Sequence, residues 1–246
     1  MNADKSQIGN EDKSREFKPT KALIFTGGDC DCDLLVPELN VEFFGGSSGN
    51  VRSGILIIAA DSGYKTAKVA KITPHIIIGD MDSIDALPES NGIEIIRANP
   101  EKDDTDTMLA VTTAISRGAK EILIAGGTGG RCDHTLSNVF LLEHIEEAGA
   151  KAAITDGRNY IRIVKNDTVS LKKRGYRYFS ILALDQSTVT VTGCKYPLKD
   201  APLRRNFPYA VSNEIAPESS HATVEVLSGT VVLIESDKQT PDFRAL

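Results

Sequence analysis

The segment from Gly79 to Asp106 opens on Gly79-Asp80-Met81-Asp82-Ser83 and closes on Lys102-Asp103-Asp104-Thr105-Asp106. Each acidic cluster comes after a short isoleucine-rich run, Ile76 to Ile78 and Ile93 to Ile96, so each is expected just beyond the end of a strand. Parallel neighbouring strands would bring both clusters to one sheet edge, outside the carboxyl ends, where open α/β sheets bind ligands. Two like charges about 4 Å apart cost on the order of 4 kcal/mol at an effective dielectric of about 20. Carboxylates gathered there therefore call for a cation. Oxygen ligands favour magnesium, which commonly brings a substrate phosphate. A single D-x-D is also what an ordinary acidic surface loop looks like; two such clusters on one edge are more specific.

Further on, Gly126-Gly127-Thr128-Gly129-Gly130-Arg131-Cys132-Asp133-His134 stands between a strand-like run and a helical pattern carrying Leu136, Val139 and Phe140. Glycines let backbone approach a phosphate, and a helix start directly after them favours anions. No G-K-[ST] comes after them, which excludes a Walker loop. Arg131 offers a planar fork for phosphate oxygens, Asp133 is placed to cap the helix, and His134 to pack near it. Asp61 or Ser62, beyond the run Ile55 to Ala59, reads both as an N-cap and as a further acid on the same edge. Thr105 and Asp106 fall at the start of a helix marked by Met108, Val111 and Ile115 and closed by Gly118, and Asp104 reads as a solvated bystander.

Periodicity gives the elements that must hold these groups. Ala22 to Phe25, Ile55 to Ala59, Ile76 to Ile78, Ile93 to Ile96, Ile122 to Ala125 and Ala152 to Thr155 read as strands alternating with helical patterns, the signature of βαβ units and a parallel sheet. A helix is an option around Val36 to Phe43, before the turn-like GGSSGN at 45–50. Past Gly157 the pattern changes to Ile161 to Val164, Thr168 to Leu171, Tyr176 to Leu182, Thr188 to Thr192, His221 to Leu227 and Thr230 to Glu235, which implies an antiparallel sandwich. The expected organisation is a leader over 1–20, a Rossmann-like α/β domain over 21–157, a β-sandwich domain over 158–237 and a tail over 238–246, frayed from Asp237 onward.

Composition narrows the function. A net charge of −6 over 246 residues argues against nucleic-acid or membrane-surface binding through bulk electrostatics. No apolar run approaches the roughly 18 residues of a membrane span, and the first twenty residues lack the apolar core of a secretory signal. Cys30, Cys32, Cys132 and Cys194 without an export signal suggest reduced thiols and a cytoplasmic location. Cys30 and Cys32 lack a second ligand pair at zinc spacing.

GDMDS, KDDTD and GGTGGRCDH, in this order, resemble the successive signatures of the thiamin pyrophosphokinase family, over about Leu23 to Glu235. Position 81 is usually aromatic in that family and is Met here, which bears on local packing. The resemblance implies transfer of a pyrophosphoryl group from ATP to the thiamin hydroxyl, with magnesium on Asp80, Asp82, Asp103 and Asp106, and catalysis by these with Lys102. It implies that Asp61, Gly127, Gly130, Arg131, Asp133 and His134 hold ATP. Gly193-Cys194-Lys195-Tyr196-Pro197-Leu198 and Val211-Ser212-Asn213-Glu214, turns on their own, resemble elements of its C-terminal domain. Ser212 and Asn213 would then hold thiamin, in a cleft shared between two subunits of a homodimer. A D-x-D glycosyltransferase and a non-catalytic nucleotide or thiamin sensor remain as alternatives, and product identity separates all three.

Overall fold

The computed structural model describes residues 19–44, 54–82, 92–98 and 104–238. The leader up to residue 18, Ser83, Lys102, Asp103 and the tail beyond Lys238 lie outside the described residues. The first part runs β1 (Lys21–Phe25), α1 (Cys32–Glu38) continued by a π-helical turn (Leu39–Phe43), β2 (Ile55–Ala60), α2 (Gly63–Val69), β3 (Ile76–Gly79), β4 (Glu94–Arg97), α3 (Asp106–Ser116), β5 (Glu121–Ala125), α4 (Cys132–Glu147) and β6 (Lys151–Thr155). The second part runs β7 (Tyr160–Lys165), β8 (Thr168–Lys172), β9 (Tyr176–Ala183), β10 (Ser187–Thr192), β11 (Leu198–Leu203), β12 (His221–Ser228) and β13 (Thr230–Lys238).

The isoleucine-rich strands are parallel because both their faces are covered, which continuous apolar runs satisfy. Ala22, Ile24, Ile58, Ile78 and Ile124 pack against Ala110, Val111 and Ala114 of α3 and Leu142 and Ile145 of α4. Their alternates Leu23, Phe25, Ile57 and Leu123 face Leu35 of α1, the π-helical turn and Ala67 of α2. Strand order is β4-β3-β2-β1-β5-β6-β7-β13-β9. From β1 the chain steps outward through β2 to β4, then crosses to β5 on the other side of β1. The strand order therefore reverses between β1 and β5, the place where such sheets open a crevice.

The sheet does not end where the pattern changes. β6 turns into β7 as an antiparallel neighbour, and β13 and β9 extend the same sheet. A second sheet, ordered β11-β10-β12-β8, stacks on this extension. Period-2 alternation in β13 explains how one strand serves two cores: Val231 and Leu233 join Val189, Val191, Val224 and Phe179 between the sheets, while Val232 and Ile234 pack on the α3/α4 side. The sandwich is thus built on the parallel sheet itself. β13 also stays paired through Lys238, beyond the point where fraying was expected. β11 had no expectation: Leu198-Lys199-Asp200-Ala201-Pro202-Leu203 has poor strand propensity, and it forms because an edge strand tolerates Pro202.

Candidate functional site

Four chain crossings meet at the carboxyl edge of the parallel strands. Thr26, Gly27, Gly28 and Asp29 leave β1, Asp61 and Ser62 leave β2, Thr105 to Thr107 open α3, and Gly126 to Arg131 leave β5. Together with His134 and Asn138 of α4 they line a cavity of about 330 Å³. The β1 and β5 loops are laced together: Gly28 N–H donates to Gly126 O at 2.9 Å and Asp29 N–H to Thr128 O at 2.9 Å. The backbones approach so closely that a Cβ on Gly28 would fall 2.2 Å from Thr128 O and 2.3 Å from Gly126 O. Gly28→Ala is therefore expected to cost about 3 kcal/mol or more, read as lost soluble expression or a lowered urea midpoint.

Beside this cavity sits an acidic cluster. Carboxylate oxygens of Asp61, Asp80 and Asp82 lie within 4.8 Å of one another. Asp61 and Met81 adopt left-handed backbone, φ +46° and +70°, a region that Asp tolerates and a long side chain rarely enters. Asp61 is held there by its N–H, which donates to Ile78 O at 2.7 Å. Gly79 is needed opposite, since a Cβ on it would meet Asp61 Cβ at 3.0 Å. Met81, at the position where the resembled family favours an aromatic ring, is buried against Ala59 and Ile77 with Tyr64 alongside, so Met fills the space. Asp82 N–H folds back on Asp80 Oδ1 at 3.2 Å. Asp61 Oδ1 is closed to water and, among the described residues, accepts no hydrogen bond. A buried, unpaired carboxylate oxygen costs several kcal/mol unless a cation or donor reaches it. The donor set is all oxygen, which suits magnesium; these residues fit such an ion.

The structure also places the other expected site residues. Asp106 lines the cavity with Asp61, at the start of α3, while the N-cap bond comes from Thr105 Oγ1, which accepts from Met108 N–H at 3.1 Å. Asp104 is exposed. Gly127, Gly130, Arg131 and His134 line the cavity; Asp133 stands outside its wall. Asp133 does not cap α4. It accepts from Arg131 Nε at 3.1 Å and Nη2 at 2.5 Å, and this bond holds its carboxyl below the ordinary carboxylate range. Ser62 holds the N-cap position of α2 without a side-chain bond, and neither it nor Asp61 caps by side chain. Lys102 and Asp103 lie outside the described residues.

Ser212 and Asn213 belong to the second part of the chain and line none of this cavity's wall. Asn213 is buried and its amide is engaged within the chain: Oδ1 accepts from Tyr196 N–H at 3.1 Å and Glu214 N–H at 2.9 Å, and Nδ2 donates to Tyr196 O at 2.8 Å. Its side chain clamps the Gly193–Leu198 loop rather than standing free. Ser212, at φ +57°, is exposed, and the same part of the chain also exposes Tyr196, Phe207, Tyr209 and Val211.

Sequence reasoning missed Thr26 to Asp29, Thr128 and Asn138. A second Gly-Gly pair directly after the first strand was the available signal. Thr128 Oγ1 donates to Asp156 Oδ2 at 2.6 Å, tying the glycine turn to the end of β6. A separate cavity of about 260 Å³ at the amino ends of β5 and β6, with Tyr160, Arg162 and Lys151 in its wall, contains none of the acidic cluster.

A carboxylate cluster and a glycine-lined cavity at the reversal point of a parallel sheet define an α/β protein with its candidate site at the carboxyl edge of the strands. Comparison with known proteins specifies which one. Residues 51–154 match the model of the thiamin pyrophosphokinase catalytic domain, and 166–231 that of the thiamin pyrophosphokinase vitamin B1 binding domain. The thiamine pyrophosphokinase of Bacillus subtilis is 31% identical over 212 residues, 82% of this chain and 93% of the relative. Crystal structures of the Bacillus subtilis and Geobacillus thermodenitrificans enzymes superpose with TM-scores of 0.73 and 0.70 at 28% and 26% identity, each covering 89% of this chain and 100% and 99% of theirs. This chain belongs to the thiamin pyrophosphokinase family.

Proposed function

We propose that the protein transfers the pyrophosphoryl group of ATP to the hydroxyl of thiamin, giving thiamin diphosphate and AMP. The observation that carries this reading is the unpaired, buried oxygen of Asp61 within a three-carboxylate cluster, on a residue that also lines the glycine-walled cavity. Asp61, Asp80 and Asp82 would hold magnesium, with Asp106 on the same cavity wall, and Asp103 and Lys102 completing the set. Bound magnesium would offset the polyphosphate charge. Phosphoryl transfer is catalysed mainly by positioning and electrostatics, which is what this chain supplies. The glycine turn seats the phosphates, Arg131 exchanges its Asp133 partner for phosphate oxygens, and one aspartate accepts the hydroxyl proton.

In this reading residues 21–157 carry ATP and magnesium and 158–237 carry thiamin, near Ser212, with Asn213 shaping the loop. The exposed apolar side chains of Tyr196, Phe207, Tyr209 and Val211 in the second part of the chain support a homodimer whose second copy covers them. Among the described residues no helix is long and apolar enough to cross a membrane, and we place the protein in the cytoplasm, with no nucleic-acid partner.

The test is product identity. Purified protein given ATP, magnesium and thiamin should release AMP and thiamin diphosphate in equal amounts. ADP with thiamin monophosphate, or UDP or GDP released from a sugar nucleotide instead, would contradict it, and binding of both substrates with no AMP at any magnesium concentration would leave a sensor. Magnesium alone, at about a hundred times its Kd, should stabilise the fold by about 2.7 kcal/mol, seen as a rise in Tm that Asp80→Ala lacks.

A further inference from the structure

The backbone of the glycine turn is oriented by two side chains that the reaction itself does not require. Thr26, which is 4% exposed, donates its hydroxyl to Gly126 O at 2.5 Å and lies 3.3 Å from Ala125 O. Asn138, 8% exposed, donates its amide Nδ2 to Gly127 O at 2.9 Å. Gly126 O also takes the Gly28 N–H. Two successive carbonyls are thus pinned from opposite flanks, one by the loop after β1 and one by α4.

In a planar trans peptide the N–H points away from its own C=O. Pinning Gly126 O and Gly127 O therefore fixes the directions of the Gly127 and Thr128 N–H groups. Among the described residues, the N–H groups of Gly127, Gly129 and Gly130 have no backbone acceptor, Thr128 is bridged to Asp29, and all four residues line the cavity. Gly126, Gly129 and Gly130 take φ values of +77°, +84° and +58°, left-handed turn backbone of the kind in which successive amides can form an anion-binding concavity. Gly127 is buried while Gly129 and Gly130 are exposed; a buried N–H is ordinarily paired, so the free one of Gly127 on a cavity wall marks a place for an acceptor oxygen.

We propose that Thr26 and Asn138 are positioning residues that aim the amides of the Gly126–Gly130 turn at the phosphates of the nucleotide, an inference resting on the ATP reading above. Neither side chain needs to touch the ligand. Their effect is on polyphosphate affinity and on the ATP half of the reaction, and the thiamin half is left alone.

The probe is inorganic tripolyphosphate with magnesium, measured by calorimetry, because it carries the phosphates without base or ribose. Thr26→Val, which keeps the shape and removes the hydroxyl, and Asn138→Leu, which removes the amide, should each weaken tripolyphosphate about tenfold or more, the usual effect of losing an outer-shell partner. Both should raise KM for ATP similarly and leave KM for thiamin within about twofold. Thr26→Ser, which retains the hydroxyl, should bind tripolyphosphate like the wild type. Should Thr26→Val fail to fold, Asn138→Leu decides. Unchanged tripolyphosphate affinity in the folded variants, an equal loss in Thr26→Ser, or parallel rises in both KM values would overturn the proposal. Wild-type protein that forms AMP and thiamin diphosphate while these variants bind tripolyphosphate normally would refute the orienting role alone. Absence of those products from the wild type would refute the ATP reading instead.

Discussion

Asp61→Asn should lose on the order of a thousandfold in turnover and, without metal, unfold at a higher temperature than the wild type. The two effects have one cause. Asp61, Asp80 and Asp82 bring carboxylate oxygens within 4.8 Å, and in the absence of a cation they repel. Neutralising one relieves that repulsion, and Asn is among the few residues at ease in the left-handed backbone that position 61 adopts, φ +46°. We expect a gain of about 1–2 kcal/mol in apo stability. A metal site that orients and neutralises polyphosphate supplies several kcal/mol of the barrier reduction, and about 4 kcal/mol is a thousandfold in rate. The magnesium-induced rise in Tm should disappear in the same variant. Scanning calorimetry with and without magnesium, alongside AMP formation, checks all three. Asp61→Asn with wild-type turnover would mean that the buried oxygen is a structural accident.

The second large effect lies away from the site. Glu235, with a side chain 3% exposed, receives Arg174 at 2.8 Å and Arg162 at 3.1 Å. Glu38 at the end of α1, 8% exposed, receives Lys238 at 2.6 Å and lies 3.6 Å from Arg174, and Tyr176 OH donates to it at 3.0 Å. The Arg174 guanidinium stands over the rings of Tyr160 and Tyr176. This network fills the seam where α1 meets β7, β9 and β13, joining the helix-covered core to the sandwich. Burial pushes the Glu235 carboxyl up, and the two guanidinium groups oppose the shift. Removing one partner of a buried ion pair leaves an uncompensated charge, at a cost of about 3–5 kcal/mol. Glu235→Ala should lower unfolding free energy in urea by that amount. Glu94→Ala, which breaks the exposed pair in which Arg117 Nη2 donates to both Glu94 oxygens at 2.7 and 2.9 Å, should cost less than about 1 kcal/mol. Equal, small losses in both would show that the seam is held by apolar packing alone.

The parallel part of the fold was legible because its strands are buried on both faces. Such strands appear as uninterrupted runs like Ile55-Leu56-Ile57-Ile58-Ala59-Ala60, and their neighbours carry helix signals such as Thr105 with Met108 and Gly118. The carboxyl-edge acids were legible for the same reason: placing a strand also places the residues that leave its carboxyl end. Local pattern does not encode which strands pair at long range. Nothing in Tyr160–Lys165 or Thr230–Lys238 announces that β7, β13 and β9 extend the parallel sheet, since alternation in an antiparallel strand is the same in one sheet or two. The seam network was illegible because Glu38, Arg174 and Glu235 come from distant parts of the chain.

At the site, aspartates were easier to recognise than the residues that hold backbone. Thr26 and Asn138 act through carbonyls of Gly126 and Gly127, a role that leaves no mark in residue spacing. Asn213 shows the converse. It stands out in the sequence, yet its amide is bonded to the Tyr196 and Glu214 backbone, so its type serves the loop first. Asp61 was read both as a helix cap and as a ligand. Among the described residues it makes no capping bond and its Oδ1 has no partner.

In the proposed reaction three aspartates from the ends of β2 and β3 hold a divalent ion against a nucleotide seated on the glycine turn. Crystals of the protein grown with manganese and an ATP analogue bridged by carbon between its α- and β-phosphorus would test it, since manganese is located by anomalous scattering. An anomalous peak is expected about 2 Å from carboxylate oxygens of the Asp61, Asp80 and Asp82 cluster, with the polyphosphate lying along Gly126 to Gly130. A nucleotide bound elsewhere, or bound here with manganese away from all three aspartates, would contradict it.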